Sequence, residues 1–333
     1  FLSSVIGNDV PGAESLWIDT NLKFENPVFE GDTIVIKSKI LKISESSQLV
    51  LLESIAVNSN NQIIFKSIST IKASKKFIIK NIKTKNQKKI KTKNKINGLK
   101  TILIVGSSSK ITIELVKSIY NNYDKFIFIR NSSGGIKKNK KYVFFKYDFT
   151  KKINFEKLKK FVVKNNCDIN SILFLASEKL IFKNPFDTNH IEIINNVKVQ
   201  AISLYEIIRN FRNNMRVNKT SIVCIGSEVL SSKPPKKMLS YVIGKHAMHG
   251  LVKSLAEELG PDGIRLNLIS PGIVDELSNS FPEISKEMFK VNSSLGNLVK
   301  VKDIVNLIMF LISTKSKNIT GQNIKANSGY SFN

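Results

Sequence analysis

A tyrosine and a lysine stand four residues apart in the segment Tyr241-Val-Ile-Gly-Lys245. On an α-helix this spacing puts the phenol and the ammonium on one face, one turn apart. A tyrosine hydroxyl has a pKa of about 10, and we expect a fixed cation beside it to lower that pKa by about one to three units. The pair therefore predicts a proton donor for a carbonyl group. The same spacing arises by chance in many helices, so the neighbouring segments decide whether this pair is a catalytic one.

Three further segments place polar residues or turns at the ends of apolar strands. Residues 221–227 form a strand that delivers Ser227, and such a serine can donate a hydrogen bond to a substrate oxygen. Residues 265–272 form another strand, which ends in a Pro-Gly turn. Near the C-terminus follow Ile319-Thr-Gly-Gln and Asn327-Ser-Gly-Tyr. Together with the Tyr-Lys pair, these segments resemble the short-chain dehydrogenase/reductase family over essentially all of 99–333.

The resemblance implies a role for each matching residue. Tyr241 is the general acid, and Lys245 tunes it while holding the nicotinamide ribose. Ser227 orients the carbonyl group, and Asn196 anchors a proton-relay water, although Asn195 competes for that role. Further contacts to the cofactor come from Pro271 to Ile273 at the nicotinamide amide, and from Ala176, in Phe174-Leu-Ala-Ser177, where the family has Asn-Asn-Ala-Gly.

The nucleotide-binding loop departs from the family pattern. In Val105-Gly-Ser-Ser-Ser-Lys-Ile-Thr112, small residues let backbone N–H groups and a helix N-terminus meet phosphate. Gly106 keeps the first family glycine, whereas Lys110 and Thr112 replace the other two. Lys110 either adds a phosphate contact or crowds the pyrophosphate. The resemblance assigns cofactor contacts in this loop to Gly106, Ser108, Ser109 and Ile111.

The end of the second strand indicates which dinucleotide is used. Arg130 closes that strand, and no acidic residue is there to hold a ribose 2′-hydroxyl. An arginine suits a 2′-phosphate, with Ser132 and Ser133 close by, so we expect NADP (NADPH). Asp148, after the third strand, resembles the family's contact to the adenine amino group. A surface arginine without this role is the alternative interpretation.

Strands and helices alternate from residue 99 onward, which predicts an α/β fold with a doubly wound parallel Rossmann sheet. We expect strands at 100–105, 125–130, 143–147, 171–175, 221–225, 264–269 and 323–326. Helices are expected around 111–120, 155–163, 188–213, 238–259 and 301–313. Ligands of such sheets bind beyond the carboxyl ends of the strands.

Within residues 1–74 the pattern predicts strands at 15–24, 32–43 and 49–71, a hairpin turn at 58–62 and the end of an apolar helix at 1–6. The segments Phe1–Gly7, Val10-Pro-Gly12, Ser15-Leu-Trp17, Asn26-Pro-Val28 and Gly31-Asp-Thr33 resemble the C-terminal half of a MaoC-like hot-dog hydratase domain. Such hydratases use an Asp/His pair, and no histidine precedes His190 here. We therefore expect a partial hot-dog (α+β) domain without hydratase activity. Residues 75–98, rich in Lys and Asn, are expected to be a linker to the reductase domain, 99–333.

Composition narrows the class of protein. The formal charge of +26 accompanies abundant Lys, Asn and Ile, as an AT-rich genome produces, and no aromatic residues interleave with a basic stripe. We expect no nucleic-acid partner. Two cysteines exclude a disulfide framework, three poorly spaced histidines predict no metal site, and no apolar run reaches membrane-spanning length. The chain begins at Phe1, which indicates a fragment or processed product.

These observations predict NADPH-dependent reduction of a 3-oxoacyl thioester, carried on coenzyme A or an acyl carrier protein. A hydratase-like domain beside a reductase favours this substrate, because a 3-hydroxyacyl thioester is what a hydratase dehydrates. Two alternatives stay open: a reductase of a sugar or small ketone, and a catalytically silent nucleotide-binding or assembly subunit. The resemblance also implies a cytoplasmic homo-oligomer.

Overall fold

The computed structural model describes residues 2–12, 14–44, 47–74, 77, 98–131, 136–137, 139–151, 153–230, 234–279 and 281–332. The chain divides into two compact units, Phe1–Ile96 and Asn97–Asn333. The expected linker lies outside the described residues apart from residues 77 and 98, and Ser132 and Ser133 lie outside them too.

The first unit contains a four-stranded antiparallel sheet in the order β1-β4-β3-β2. Its strands are β1 (Leu16–Phe24), β2 (Ile34–Ser44), β3 (Leu49–Asn58) and β4 (Ile63–Lys72). A short helix, α1 (Leu2–Ser4), continues as a π-helical turn to Asp9 and packs Leu2 and Ile6 against the sheet. The predicted hairpin turn at 58–62 is confirmed, because the Asn58 side chain accepts the backbone N–H of Asn60 and Gln62.

The second unit is built on a seven-stranded parallel sheet in the order β11-β10-β9-β8-β5-β6-β7. Its strands are β5 (Leu99–Val105), β6 (Lys125–Arg130), β7 (Tyr142–Lys146), β8 (Cys167–Phe174), β9 (Ser221–Ile225), β10 (Arg265–Pro271) and β11 (Asn323–Ala326). The strand order reverses between β5 and β8, which creates a crevice at their carboxyl ends. The predicted Rossmann sheet is therefore confirmed.

Helices cover both faces of this sheet. They are α2 (Lys110–Ile119), α3 (Glu156–Lys164), α4 (His190–Val197), α5 (Ser203–Asn218), α6 (Leu239–Leu259), α7 (Glu283–Asn292) and α8 (Val301–Ile312). Apolar residues of α3, α5 and α6 pack on one face, and those of α2 and α8 pack on the other. None of the described helices has the length and apolar character that a membrane span requires.

One predicted helical stretch is confirmed, and one helix was not predicted. The stretch around 188–213 is helical throughout, because α4, a π-helical segment, Lys198–Ile202, and α5 follow one another without a break. Helix α7 was not expected at all. It buries only Phe289, while Ile284, Met288 and Val291, which recur at the helical spacing i, i+4 and i+7, stay exposed.

Candidate active site

The end of β9 presents the serine of the site. Gly226 follows the strand, and a Cβ there would lie 2.7 Å from the Ser270 hydroxyl of β10. Glycine therefore lets the ends of the two strands close together. Ser227 then opens a 3-10 turn, Glu228–Leu230, and its side-chain oxygen accepts the N–H of Val229 at 3.4 Å. The turn fixes the serine hydroxyl at the carboxyl edge of the sheet.

Helix α6 brings the tyrosine and the lysine to the same edge. The Tyr241 hydroxyl lies close enough to the Ser227 side chain for the serine to lower its pKa. Lys245 is 3% exposed, donates from Nζ to the Ile225 carbonyl at 2.8 Å, and holds Nζ 5.5 Å from the centre of the Tyr241 ring. The three predicted residues thus meet around the last residues of β9.

Burial governs the titration of this pair. Burial raises the pKa of Tyr241, and the nearby Ser227 side chain opposes the rise. Burial also lowers the pKa of Lys245 to about 8. The expectation that the cation would lower the tyrosine pKa is therefore wrong for the protein alone. Its physical reason is that both groups lie away from water, where the charged form of each is disfavoured.

Asn196 lies against α6 at Gly244. Its side chain donates to the Glu192 carbonyl at 3.1 Å and accepts from Gln200 Nε2 at 3.0 Å. Gln200 is fully buried, and its Oε1 has no hydrogen-bond partner. A Cβ on Gly244 would lie 2.7 Å from Gln200 Nε2 and 3.1 Å from the Asn196 carbonyl oxygen. Glycine within the Tyr-Lys segment therefore admits the two amides.

The loop after β5 has the form of a dinucleotide-binding turn. Gly106 has a φ of +99°, and a Cβ there would come within 3.3 Å of Leu175 at the end of β8. Ser109 caps α2 by accepting the N–H of Ile111 at 3.2 Å, whereas the Ile111 side chain lies in the core. Ser108 is exposed.

The two residues that replace family glycines behave differently. Thr112 is fully buried, and its hydroxyl donates to the Gly106 carbonyl at 2.8 Å, so it stabilises the loop from the side of the core. Lys110 instead extends across to the segment after β10, where Nζ donates to the Glu276 carbonyl at 2.6 Å. The lysine therefore joins two loops at the carboxyl edge of the sheet.

The remaining predicted contacts lie along this edge. The Arg130 guanidinium stacks on the Phe144 ring at 4.1 Å. Asp148 accepts the N–H and hydroxyl of Thr150, and these bonds hold the pKa of its carboxyl below the usual range. Ala176 and Pro271 are buried, and the Ile273 carbonyl accepts the N–H of Val299 at 3.1 Å.

The sequence did not single out Gln200, Glu178 or Glu228. Glu178 follows β8, and burial raises the pKa of its carboxyl, with a smaller rise from the nearby Asp148 charge. Glu228 follows the site serine and binds residues near the C-terminus. Within the described ranges, no cluster of three His, Cys, Asp or Glu is arranged to hold a metal ion.

Known proteins are similar to this chain in sequence and in fold. Residues 133–331 match the family model described as enoyl-(acyl carrier protein) reductase. The match covers more than half of the chain, which therefore belongs to the short-chain dehydrogenase/reductase family of NAD(P)-dependent oxidoreductases. This confirms the family resemblance for residues 133–331.

Individual relatives are similar over different lengths. The uncharacterized oxidoreductase YmfI of Bacillus subtilis (strain 168) is 32% identical over 145 residues, which are 43% of this chain and 60% of that protein. The 3-oxoacyl-(acyl-carrier-protein) reductase FabG of Buchnera aphidicola subsp. Baizongia pistaciae (strain Bp) is 29% identical over 70% of this chain and 89% of its own. A solved 4-hydroxyisoleucine dehydrogenase complexed with NADH superimposes with a TM-score of 0.63 at 24% identity, covering 70% of this chain and 98% of its own. The chain thus spans less than two thirds of the Bacillus relative.

Proposed function

We propose that the chain uses NADPH to reduce a carbonyl group to a secondary alcohol, and that the substrate is a 3-oxoacyl thioester of coenzyme A or an acyl carrier protein. The observation that carries this proposal is the meeting of Ser227, Tyr241 and Lys245 at the end of β9. A half-buried phenol, a serine hydroxyl beside it and a buried amine near its ring form a proton-donating group for a carbonyl oxygen.

Each of these residues has a distinct task in the proposed reduction. Tyr241 donates its phenolic proton to the carbonyl oxygen, and its raised pKa keeps that proton on the phenol at neutral pH. Ser227 donates a hydrogen bond to the same oxygen and orients it. The Lys245 ammonium stabilises the phenolate that remains. A bound nicotinamide cofactor supplies the hydride for the carbonyl carbon.

The loop at the crevice fits a dinucleotide. Gly106 lets the backbone approach a ligand closely, and the Ser107 hydroxyl is buried in the loop without a hydrogen-bond partner. A cofactor would be held by the residues that family resemblance implies: Gly106, Ser108, Ser109, Ile111, Arg130, Asp148, Ala176, Tyr241, Lys245, Pro271 and Ile273. To meet a phosphate, Lys110 would exchange its bond to the Glu276 carbonyl for a charge-assisted bond to an anion.

The preference for NADPH rests on Arg130. Its guanidinium is held at the carboxyl end of β6 by stacking on Phe144. A planar, permanently charged group at that position suits a phosphate better than a hydroxyl. Asn131 follows it, so no carboxylate competes at the strand end.

The choice of a thioester has two supports. One is similarity to a relative named as a 3-oxoacyl-(acyl-carrier-protein) reductase. The other is our proposal that residues 1–74 are half of a MaoC-like hot-dog domain, joined by a linker at 75–98 to the reductase domain at 99–333. Helix α1 on a four-stranded antiparallel sheet is compatible with such a half domain. The cytoplasmic location and the homo-oligomer are proposals from family resemblance.

The test is an NADPH oxidation assay with acetoacetyl-CoA, the same acyl group on an acyl carrier protein, and a panel of sugars and small ketones. We expect turnover of the thioesters and little turnover of the panel. Turnover of the panel alone would replace the substrate assignment. NADPH binding without turnover of any carbonyl would favour a silent nucleotide-binding subunit.

A further inference from the structure

We propose that Glu228 is a positioning residue for Ser227, and that it works through a C-terminal strap formed by residues 326–331. On one side the strap contacts the serine turn, which is Ser227 with the 3-10 turn Glu228–Leu230. On the other side it contacts α7 and the residues that follow α7. This inference rests on the proposed function for its kinetic consequence, whereas its structural part stands independently.

The Glu228 carboxylate is the anchor of the strap. One carboxylate oxygen accepts from Asn327 Nδ2 at 2.9 Å, and the other accepts from the Ser331 hydroxyl. Asn327 Nδ2 also donates to the Ser331 carbonyl at 3.0 Å, and Lys325 Nζ donates to the Ser331 hydroxyl at 2.7 Å. Both carboxylate oxygens therefore accept bonds from a segment about 100 residues away. Hydrogen bonds to an ionised acceptor are roughly twice as strong as neutral ones.

The other side of the strap holds the region that follows β10. Tyr330 stacks on Phe289 of α7 with ring centres 4.6 Å apart, and the Ser294 hydroxyl donates to the Gly329 carbonyl at 3.1 Å. The Leu295 N–H donates to the Ser328 carbonyl at 3.0 Å. Gly272 begins this region, and a Cβ there would lie 2.3 Å from the Phe289 ring. The strap therefore links α7 to the serine turn.

The serine hydroxyl depends on the turn that Glu228 begins. The Val229 N–H donates to Ser227 Oγ, and the Leu230 N–H donates to the Ser227 carbonyl at 3.1 Å. The carboxylate bonds add to the burial of Val229 and the core contact of Leu230 in holding this single turn, whose 3-10 bonds are poorly aligned. Without the carboxylate bonds, Ser227 would lose the orientation in which it meets the Tyr241 hydroxyl.

The experiment compares the full chain with Glu228→Leu, Glu228→Gln and a chain that ends at Tyr330. Glu228→Leu removes both acceptors at similar volume, so kcat for acetoacetyl-CoA should fall about 10- to 100-fold while the Kd for NADPH stays unchanged. Glu228→Gln still accepts from Asn327 and can donate to Ser331, so it should recover most of the rate. Ending the chain at Tyr330 should lower kcat similarly, and combining the two changes should add little. Glu287→Leu is the matched control, because Glu287 is an exposed residue of α7 that, among the described residues, pairs only with Lys290 in its own helix, and the change should not alter kcat.

Amide hydrogen exchange at Val229 and Leu230 provides the readout that does not need turnover. Exchange should be faster in Glu228→Leu than in the parent chain, and unchanged exchange with unchanged kcat would overturn the proposal. If exchange is faster in Glu228→Leu but the parent chain reduces no thioester, the role of the strap stands and the proposed substrate is rejected. If Glu228→Leu does not fold, Ser331→Ala removes one of the two bonds and should change exchange and kcat in the same direction by a smaller factor.

Discussion

Gly244 gives the sharpest test of how the Tyr241–Lys245 segment is packed. Gly244→Ala would put a methyl group 2.7 Å from Gln200 Nε2 and 3.1 Å from both the Cβ and the carbonyl oxygen of Asn196. Carbon contacts are optimal at about 3.5–4.0 Å, so the buried amides must move. Overpacking of this kind costs about 1–3 kcal/mol, whereas replacing a helical glycine gains about 0.5–1 kcal/mol. We expect a net loss of about 1–2 kcal/mol in the free energy of unfolding.

Gly250 is a matched control on the same helix. Nothing lies within 4 Å of a Cβ built there, so Gly250→Ala should gain about 0.5–1 kcal/mol. The two variants therefore change stability in opposite directions. A loss of 1 kcal/mol corresponds to a decrease in Tm of roughly 2–4 °C for a unit of this size.

Urea unfolding followed by circular dichroism at the helical band is the suitable assay. Tryptophan fluorescence is not, because the single tryptophan, Trp17, belongs to the other unit. Gln200→Ala should relieve the clash, so the loss caused by Gly244→Ala should be smaller in that background. Equal gains in stability from Gly244→Ala and Gly250→Ala would refute the packing described for the site.

Three further predictions concern charge. The pKa of Lys245 is about 8, below its ordinary 10.5, so the unfolded chain binds more protons than the folded chain between these two pH values. The free energy of unfolding should therefore rise with pH in that window, by up to about 3 kcal/mol. Chemical denaturation at a series of pH values measures this rise, and Lys245→Met should abolish it. In titrations, Arg130→Ala should weaken NADPH binding and leave NADH binding little changed. Equal affinity of the parent chain for the two cofactors would count against the 2′-phosphate contact. NADPH binding should weaken as salt rises, and Lys110→Gly should flatten that dependence; tighter binding by the glycine variant at every salt concentration would instead mean that Lys110 obstructs the loop.

The strands were predictable because local sequence determines them. β6, β9 and β11 occupy the predicted ranges 125–130, 221–225 and 323–326. β6 and β9 are short apolar runs buried within the sheet, and such runs stand out between polar loops. The start of β8 was missed although Cys167–Asn170 alternates apolar and polar residues, with Cys167 and Ile169 buried. Helix α7 was also missed, although Ile284, Met288 and Val291 recur at helical spacing.

The chemistry of the site was harder to predict from the sequence. The meeting of Ser227, Tyr241 and Lys245 followed from spacing and family resemblance, but the direction of the Tyr241 pKa did not. That direction depends on burial, which becomes visible only when α6 is packed on the sheet. Gln200 and Glu228 were missed for a related reason. The unpaired Gln200 oxygen appears only in the packed core, and the partners of Glu228 lie about 100 residues further along the chain.

The central claim is that Tyr241 donates the proton in the reduction of a carbonyl group, and Tyr241→Phe tests it most directly. The variant keeps the ring near Lys245 and removes only the hydroxyl beside Ser227. With acetoacetyl-CoA and NADPH, we predict a decrease in turnover of about 100-fold or more, which is the usual effect of losing a general acid. The Kd for NADPH, measured by titration on the same preparation, should stay near that of the parent chain. Turnover close to that of the parent chain would contradict the account.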